Sequence, residues 1–473
     1  MYNIGVHNKL TPEHKEKKMK KLLILALMAC ICLTLAACGN KDNPPACTEH
    51  IDENFDGVCD NEGCGAAVEV DVLTHAEYME KEIDDLVVIE SYIQGKQSWW
   101  DNKATLYLQS PDGAYFVFEA AVSEAQYAEL EVGTKVRVYG YKAEWAGEIE
   151  IVDAKLHVLE GDPFVAEPTD LTALLGTDEL VAHQNELGAF VGLTVKEISY
   201  KNGEPGDDIY VTFTLGEKDY SFCVERYLTG PDSEVYTTVG ALKAGDVVYV
   251  EGFVYWYNGV NTHITKIVKM LTNEEYDAAE IDDAVCVKSY VQGKQSWWDN
   301  KATLYLQSPD GAYFVYELAC TEAQYAELTV GTAVVISGYK AEWGGEVEIV
   351  DGEILTINKN DTYVAEAADL TALLGTDELF AHQNELAKFL GLTVKEITYK
   401  NGEPGDDIYV TLTFEGNDYS FCVERYLTDT KSEVYRAFTT GLILVGDVVN
   451  VEGFVYWYNG VNTHITAIEV AVN

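Results

Sequence analysis

The sequence has little proline, 10 residues in 473, and little positive charge, 32 Lys and Arg against 79 Asp and Glu. With 47% hydrophobic and 11% aromatic residues beside so few prolines, a disordered chain is excluded and there is material for several packed cores. The shortage of bases gives a formal charge of -47, which repels polyanions at long range and makes general nucleic-acid binding an unlikely partnership. It suits an exported, well-solvated protein, or one that meets divalent cations or neutral ligands. The chain also lacks a Gly-x-Ser-x-Gly elbow, a phosphate-binding glycine loop and paired carboxylates in a setting that calls for acid-base work, so no enzyme and no organic cofactor are expected. Long apolar runs are missing as well, with one exception near the N-terminus.

That exception starts at Met19-Lys20-Lys21, is almost wholly apolar over 22–35, and closes with Leu35-Ala36-Ala37-Cys38-Gly39. It is shorter than the roughly 20 residues that span a bilayer core. The segment resembles a bacterial lipoprotein signal with its lipobox. The resemblance implies that residues 1–37 are removed and that Cys38 becomes the lipidated first residue of the mature protein. Acyl chains there would hold a secreted protein to the cell membrane on its extracellular face. Residues 1–18 look unlike a leader, so Met19 is the expected initiator, and 38–46 reads as a tether. Residues 1–37 hold six Lys and two acids, so the mature chain has 26 bases and 77 acids, a balance of -51.

Of ten cysteines, Cys30 and Cys32 leave with the signal and Cys38 takes lipid, which leaves seven, an odd number that cannot all pair within one chain. Three of them fall in a short module at 47–65. Cys47-x-x-His50 and Cys59-x4-Cys64 supply the ligand types of a structural zinc site. Interleaved with them, Asp52-x-Asn54-x-Asp56-Gly57-x-x-Asp60 follows the first half of an EF-hand-type calcium loop, with glycine at the sixth position. The twelfth position is Gly63 rather than Glu, so the run looks more like the shorter dockerin or thrombospondin calcium repeats. Zinc, calcium and a disulfide knot all remain open readings of this module.

Beyond it the chain is duplicated. Residues 94–117 recur unchanged at 292–315, 182–187 return at 381–386, and 250–265 return at 451–466. Each half opens with a capping box, Thr74-x-x-Glu77 and Thr272-x-x-Glu275, which starts a short helix. Strand patterns follow at 87–93, 105–109 and 114–118, a helical pattern at 123–130, and strands at 135–141 and 148–152. Three strands, a helix, then two strands is the order of an OB-fold. The rest of the half repeats it at 190–200, 209–215, 220–225, 247–257 and 262–268. The expected fold is all-β with short helices: four tandem OB-like five-stranded barrels over 73–160, 165–270, 271–358 and 364–473. Runs such as Tyr92-Ile93-Gln94-Gly95-Lys96, Tyr107-Leu108-Gln109-Ser110-Pro111-Asp112-Gly113 and Gly140-Tyr141-Lys142 before Glu144-Trp145 resemble the OB-fold domains of surface lipoproteins in Firmicutes-type bacteria. That resemblance implies fold and location, and brings no catalytic residues.

OB barrels take ligands on the face of strands two and three, between the loop joining strands one and two and the loop joining four and five. Here those loops carry Trp99, Trp100 and Trp145 with copies Trp297, Trp298 and Trp343, and Tyr255-Trp256-Tyr257 with copies Tyr456-Trp457-Tyr458. One reading is a set of stacking platforms for carbohydrate or a partner protein, repeated for avidity. The alternative is a structural or spacer protein whose rings pack between barrels. Single-stranded nucleic acid would also stack on such rings, but only Lys96, Lys103, Lys142 and their copies lie nearby. With the last barrel running to Asn473, nothing is left for a spacer to present, which favours binding. His263 and His464 read as ordinary strand residues, and His183 and His382 as part of a solvated face. Where the first half has Val88 and Val122, the second has Cys286 and Cys320, a paired change that leads to the expectation of a Cys286–Cys320 disulfide.

Overall fold

The computed structural model describes residues 49–62 and 64–471, so Cys38 and Cys47 lie outside the described residues. The chain divides into two units, Met1–Val70 and Asp71–Asn473. In the first, acidic and amide side chains accept backbone N–H groups in tight turns. Asp52 accepts from Asp56 and Gly57 at 3.1 and 2.8 Å, Asn54 from Asp56 at 3.0 Å, Asp56 from Val58 at 2.8 Å, and Asp60 from Glu53 at 2.7 Å. A bridge between Val58 and Ala67 closes the loop.

The second unit begins with helix α1 (His75–Glu80), started by the capping box: the Thr74 hydroxyl accepts from the Glu77 N–H, and the Glu77 carboxylate accepts from the Thr74 N–H. Then come β1 (Leu86–Lys96), β2 (Lys103–Ser110), β3 (Gly113–Ala121), α2 (Glu124–Glu129), β4 (Lys135–Trp145) and β5 (Glu148–Val158). They close a barrel in the order β1-β2-β3-β5-β4, with the β3–β5 pair parallel and the rest antiparallel. This is the OB Greek key with its helix between strands three and four. Alternation decides the inside: Leu106 and Leu108 join Val87, Ile89, Val117, Val136 and Ile151 in the core, and Tyr107 and Phe116 point outward.

The second barrel has β6 (Thr169–Asp170), β7 (Leu187–Tyr200), β8 (Ile209–Leu215), β9 (Lys218–Val224), β10 (Val247–Phe253) and β11 (His263–Lys269). Because β10 pairs with both β11 and β7, a ring β7-β8-β9-β11-β10 closes in the same order, and β6 lies parallel to β7 outside it. Barrel 3 repeats barrel 1 with strands Ala284–Lys294, Lys301–Ser308, Gly311–Ala319, Thr332–Trp343 and Glu346–Thr362. Barrel 4 repeats barrel 2 with Leu386–Tyr399, Ile408–Phe414, Asn417–Val423, Val448–Phe454 and His464–Val470.

Two kinds of junction join them. Within each half, the outward face of β2 and β3 is covered by the next barrel. Tyr107 stacks on Phe253 at 4.4 Å between centroids, Phe116 meets Tyr255 edge-on at 5.2 Å, and the Tyr107 hydroxyl lies 2.6 Å from His263 Nδ1. Gly95 is required here, because a Cβ would come within 2.8 Å of the Phe253 ring. Tyr305, Phe454, Phe314, Tyr456, His464 and Gly293 repeat the arrangement. Thus His263 and His464, expected to be ordinary strand residues, are buried pins between barrels.

The junction between halves is different: Tyr249 and Met270 of barrel 2 pack with Cys286, Val335 and Leu355 of barrel 3. At the corresponding positions of barrel 1 stand Arg137, ion-paired to Glu90 at 2.7 Å, and His157. Barrel 4 has Asn450 and Glu469, bonded at 3.1 Å, where barrel 2 has Tyr249 and Val268. Polar side chains thus stand on the two end faces at positions that are apolar in the junction, while Leu390 and Val448 of barrel 4, the counterparts of Val191 and Val247, stay apolar and exposed.

This junction corrects the disulfide expectation. Val285 and Val287 point into barrel 3 with Cys320, whereas Cys286, between them on the strand, points outward to barrel 2. Cys286 and Cys320 are both free thiols. Strand alternation sets them on opposite faces. Cys223 and Cys422 are also free and buried, but on the outward side of their strands rather than in a barrel core.

Candidate ligand cleft between barrels

In barrels 1 and 3 the face where an OB-fold takes its ligand is filled by the neighbouring barrel. In barrel 4 the equivalent face is open. A cleft of about 1150 Å³ lies over it, floored by Tyr409, Ser420 and Cys422 and walled by the 456–462 loop and by the strand ends of barrel 3. The rim residues distribute unequally around this space. Trp343 is 63% and Tyr458 51% exposed at its mouth. Tyr456 lines the inner wall and stacks on His464 at 4.2 Å. Trp457 borders the cleft with one side of its ring packed on the barrel 4 core.

The remaining rings lie elsewhere. Trp99 and Trp297, expected as platforms, lie against the cores of their own barrels, and their indole N–H groups donate to the Val122 and Cys320 carbonyls at 3.0 Å. Trp100 and Trp298 are exposed at the tips of their loops, outside the cleft. In the first half Trp256 packs on the barrel 2 core, Tyr255 is buried in the junction, and Trp145 packs on Tyr257 with centroids 5.1 Å apart. The two rims differ at several residues: Phe380, packed edge-on against Trp457, replaces Val181, and Tyr316, which lines the cleft, replaces Phe118. Gly344 stands where the first half has Ala146, and Tyr458 lies so close to it that a Cβ would meet the ring at 2.9 Å. Tyr458 therefore packs against the hairpin tip, and Trp343 stands exposed over the cleft.

Sequence reading missed the carboxylates. Glu348 lines the cleft, and Glu346 lies fully buried behind it with Oε2 accepting from the Trp457 N–H at 2.7 Å. Burial pushes Glu346 up to about 8 and Glu348 up to about 7. Burial, with Asp407 beside it, raises Glu424 to about 7, and burial lowers His464 to about 4. Asp407 is ion-paired to Lys400 at 2.8 Å. The signal was there: Glu346-x-Glu348, like Glu148-x-Glu150, places two acids on one face of a strand. Alternation alone reads that face as solvated, and here a second barrel covers it.

The lysines weighed for polyanion binding are engaged. Lys142 is buried and donates to the carbonyls of Tyr78, Met79 and Lys81 at the end of α1, as Lys340 does in the second half. Lys96 donates to the Tyr127 carbonyl at 2.8 Å, and Lys103 pairs with Glu119 at 2.7 Å. His183 and His382 bond Glu186 and Glu385 one turn on, each at 2.9 Å.

In the N-terminal unit, the ligand atoms of His50, Cys59 and Cys64 all lie within 4.8 Å of one another, a group able to hold a metal ion. Asp52, Asp56 and Asp60 are not part of that group.

No family model and no curated protein matches the chain. Solved structures resemble parts of it. The Ifi202 HINa domain in complex with 20-bp double-stranded DNA is 10% identical, covering 36% of this chain and 100% of its own, at a TM-score of 0.16. A murine DNA-binding protein bound to double-stranded DNA is 12% identical, covering 40% and 97%, at 0.23. A replication protein A heterotrimer bound to single-stranded DNA is 9% identical, covering 64% and 99%, at 0.20. At such scores the OB-like assignment rests on the strand pairing itself.

Proposed function

We propose that the protein is an exported, membrane-anchored binding protein that holds a carbohydrate in the cleft between barrels 3 and 4. One observation carries the reading: exposed aromatic faces and buried carboxylates converge on the open OB ligand face of barrel 4. The faces of Trp343 and Tyr458 suit the apolar side of a sugar ring, and the carboxylates and Asn462 suit its hydroxyls. The acidic lining and the engaged lysines disfavour a polyanion. The anchor is the lipidated Cys38 of the lipobox.

The test is a glycan array probed with the mature chain. Trp343→Ala with Tyr458→Ala should weaken binding at least about tenfold, or 1.4 kcal/mol. The melting temperature should hardly move, because exposed rings add little folding energy. Trp100→Ala with Trp298→Ala should leave binding unchanged. Gly344→Ala, which gives the second rim the residue of the first, should weaken it. Binding of single-stranded DNA but no glycan would replace carbohydrate with nucleic acid, and no ligand at all would leave the spacer reading. Cys38→Ala should move the protein from membranes to the soluble fraction.

A further inference from the structure

The N-terminal unit carries a ligand set independent of the cleft. His50 enters its loop, Cys59 leaves it and Cys64 follows the next turn, yet their donor atoms converge within 4.8 Å, with Cys64 Sγ 3.4 Å from His50 Nδ1. Backbone bonds fix this approach: the Asp60 N–H donates to Ile51 O at 2.6 Å, and the Cys64 N–H to Asn61 O at 2.9 Å. Two thiols and an imidazole are zinc donors. Calcium needs six to eight oxygens, and those of Asp52, Asn54, Asp56 and Asp60 are turned to backbone N–H groups instead.

We propose that the N-terminal unit is a zinc module in which His50, Cys59 and Cys64 ligate one ion that holds together a loop too small to build its own core. The ligating forms are thiolate and neutral imidazole, so affinity falls in acid. A unit of this size needs such a staple.

Elemental analysis of the full mature chain, purified without chelator, should find about one zinc per chain. Cys59→Ser and Cys64→Ser should each weaken zinc affinity by more than the roughly tenfold that loss of even an outer-shell partner costs, and lower the zinc retained through purification. Cobalt added to the stripped protein should give the thiolate-to-metal absorption and the visible bands of a tetrahedral site, and both variants should lose them. Three results would overturn the proposal: calcium without zinc, a Cys59–Cys64 disulfide in protein that holds no zinc, or full zinc content in both serine variants. A misfolded cleft cannot mimic these results, since glycan binding by the same variants is measured in parallel.

Discussion

Glu346 predicts an unusual dependence of stability on pH. The side chain is fully buried, its Oε2 accepts from the Trp457 N–H, and its Oε1 and the nearby Asn384 Oδ1 are both buried acceptors with no donor among the described residues. One proton resolves both: a protonated Glu346 can donate to Asn384, and burial raises the group to about 8. Glu148 and Asn185 repeat the arrangement, also at about 8. Because the folded pKa lies above the ordinary 4.5, the folded state keeps a proton that the unfolded chain has lost. The associated stability is complete below 4.5 and disappears as pH rises through 8. His263 and His464 work in the opposite direction, since burial lowers them to about 3 and 4, but their contribution ends near the ordinary 6.5. Within the barrels, between about pH 6.5 and 8.5 the buried carboxylates dominate, and each of the two deepest loses about 2 kcal/mol. Thermal unfolding followed by calorimetry should therefore give a melting temperature that falls steadily over this range. Glu346→Gln keeps the acceptor for Trp457, supplies an N–H for Asn384 and has no charge to bury. It should reduce the fall, so that its gain in stability over the parent is about 2 kcal/mol larger at pH 8.5 than at pH 6.5. A flat profile in the parent chain, or a Gln variant with an undiminished slope, would show that Glu346 is ionised and refute the reasoning.

Two further outcomes separate packing from binding. Trp457→Ala, or Trp256→Ala in the first half, should cost about 3–5 kcal/mol, because these rings lie on barrel cores; denaturant unfolding checks this, and a loss as small as that of Trp343→Ala would contradict the packing. Tyr249→Asn places the residue of the barrel 4 end face into the junction between halves, and calorimetry should then resolve two transitions where the parent gives one coupled transition.

The barrels were legible because their interiors obey a period of two. Leu106 and Leu108 alternate with Tyr107, Thr74 and Glu77 form the capping box, and the helix falls between strands three and four. What covers the outward face was not legible. Tyr107 and Phe116 look like surface residues until Phe253 and Tyr255 are set against them, 146 and 139 positions further on, and no local pattern encodes that approach. Trp99 and Trp100 are adjacent, yet one lies on the core and the other in solvent. The Cys286 expectation failed on information already present, since Val285 and Val287 flank it and strand parity alone places it outside. Gly344 was visible as a difference from Ala146, but its effect on Tyr458 needs the hairpin and the loop in the same place.

The junction between barrels 2 and 3 joins two dissimilar surfaces, and a contact of that kind has no built-in stopping point. If barrel 4 offered the surface of barrel 2, and barrel 1 the surface of barrel 3, one molecule would add to the next head to tail and grow into a filament. Arg137 and His157 at one end, and Lys388, Asn450 and Glu469 at the other, stand where Val335, Leu355, Ala189, Tyr249 and Val268 make the internal contact. Those few side chains make the end faces unlike the internal contact, and exchanging them for their internal counterparts should favour head-to-tail chains, which light scattering would detect.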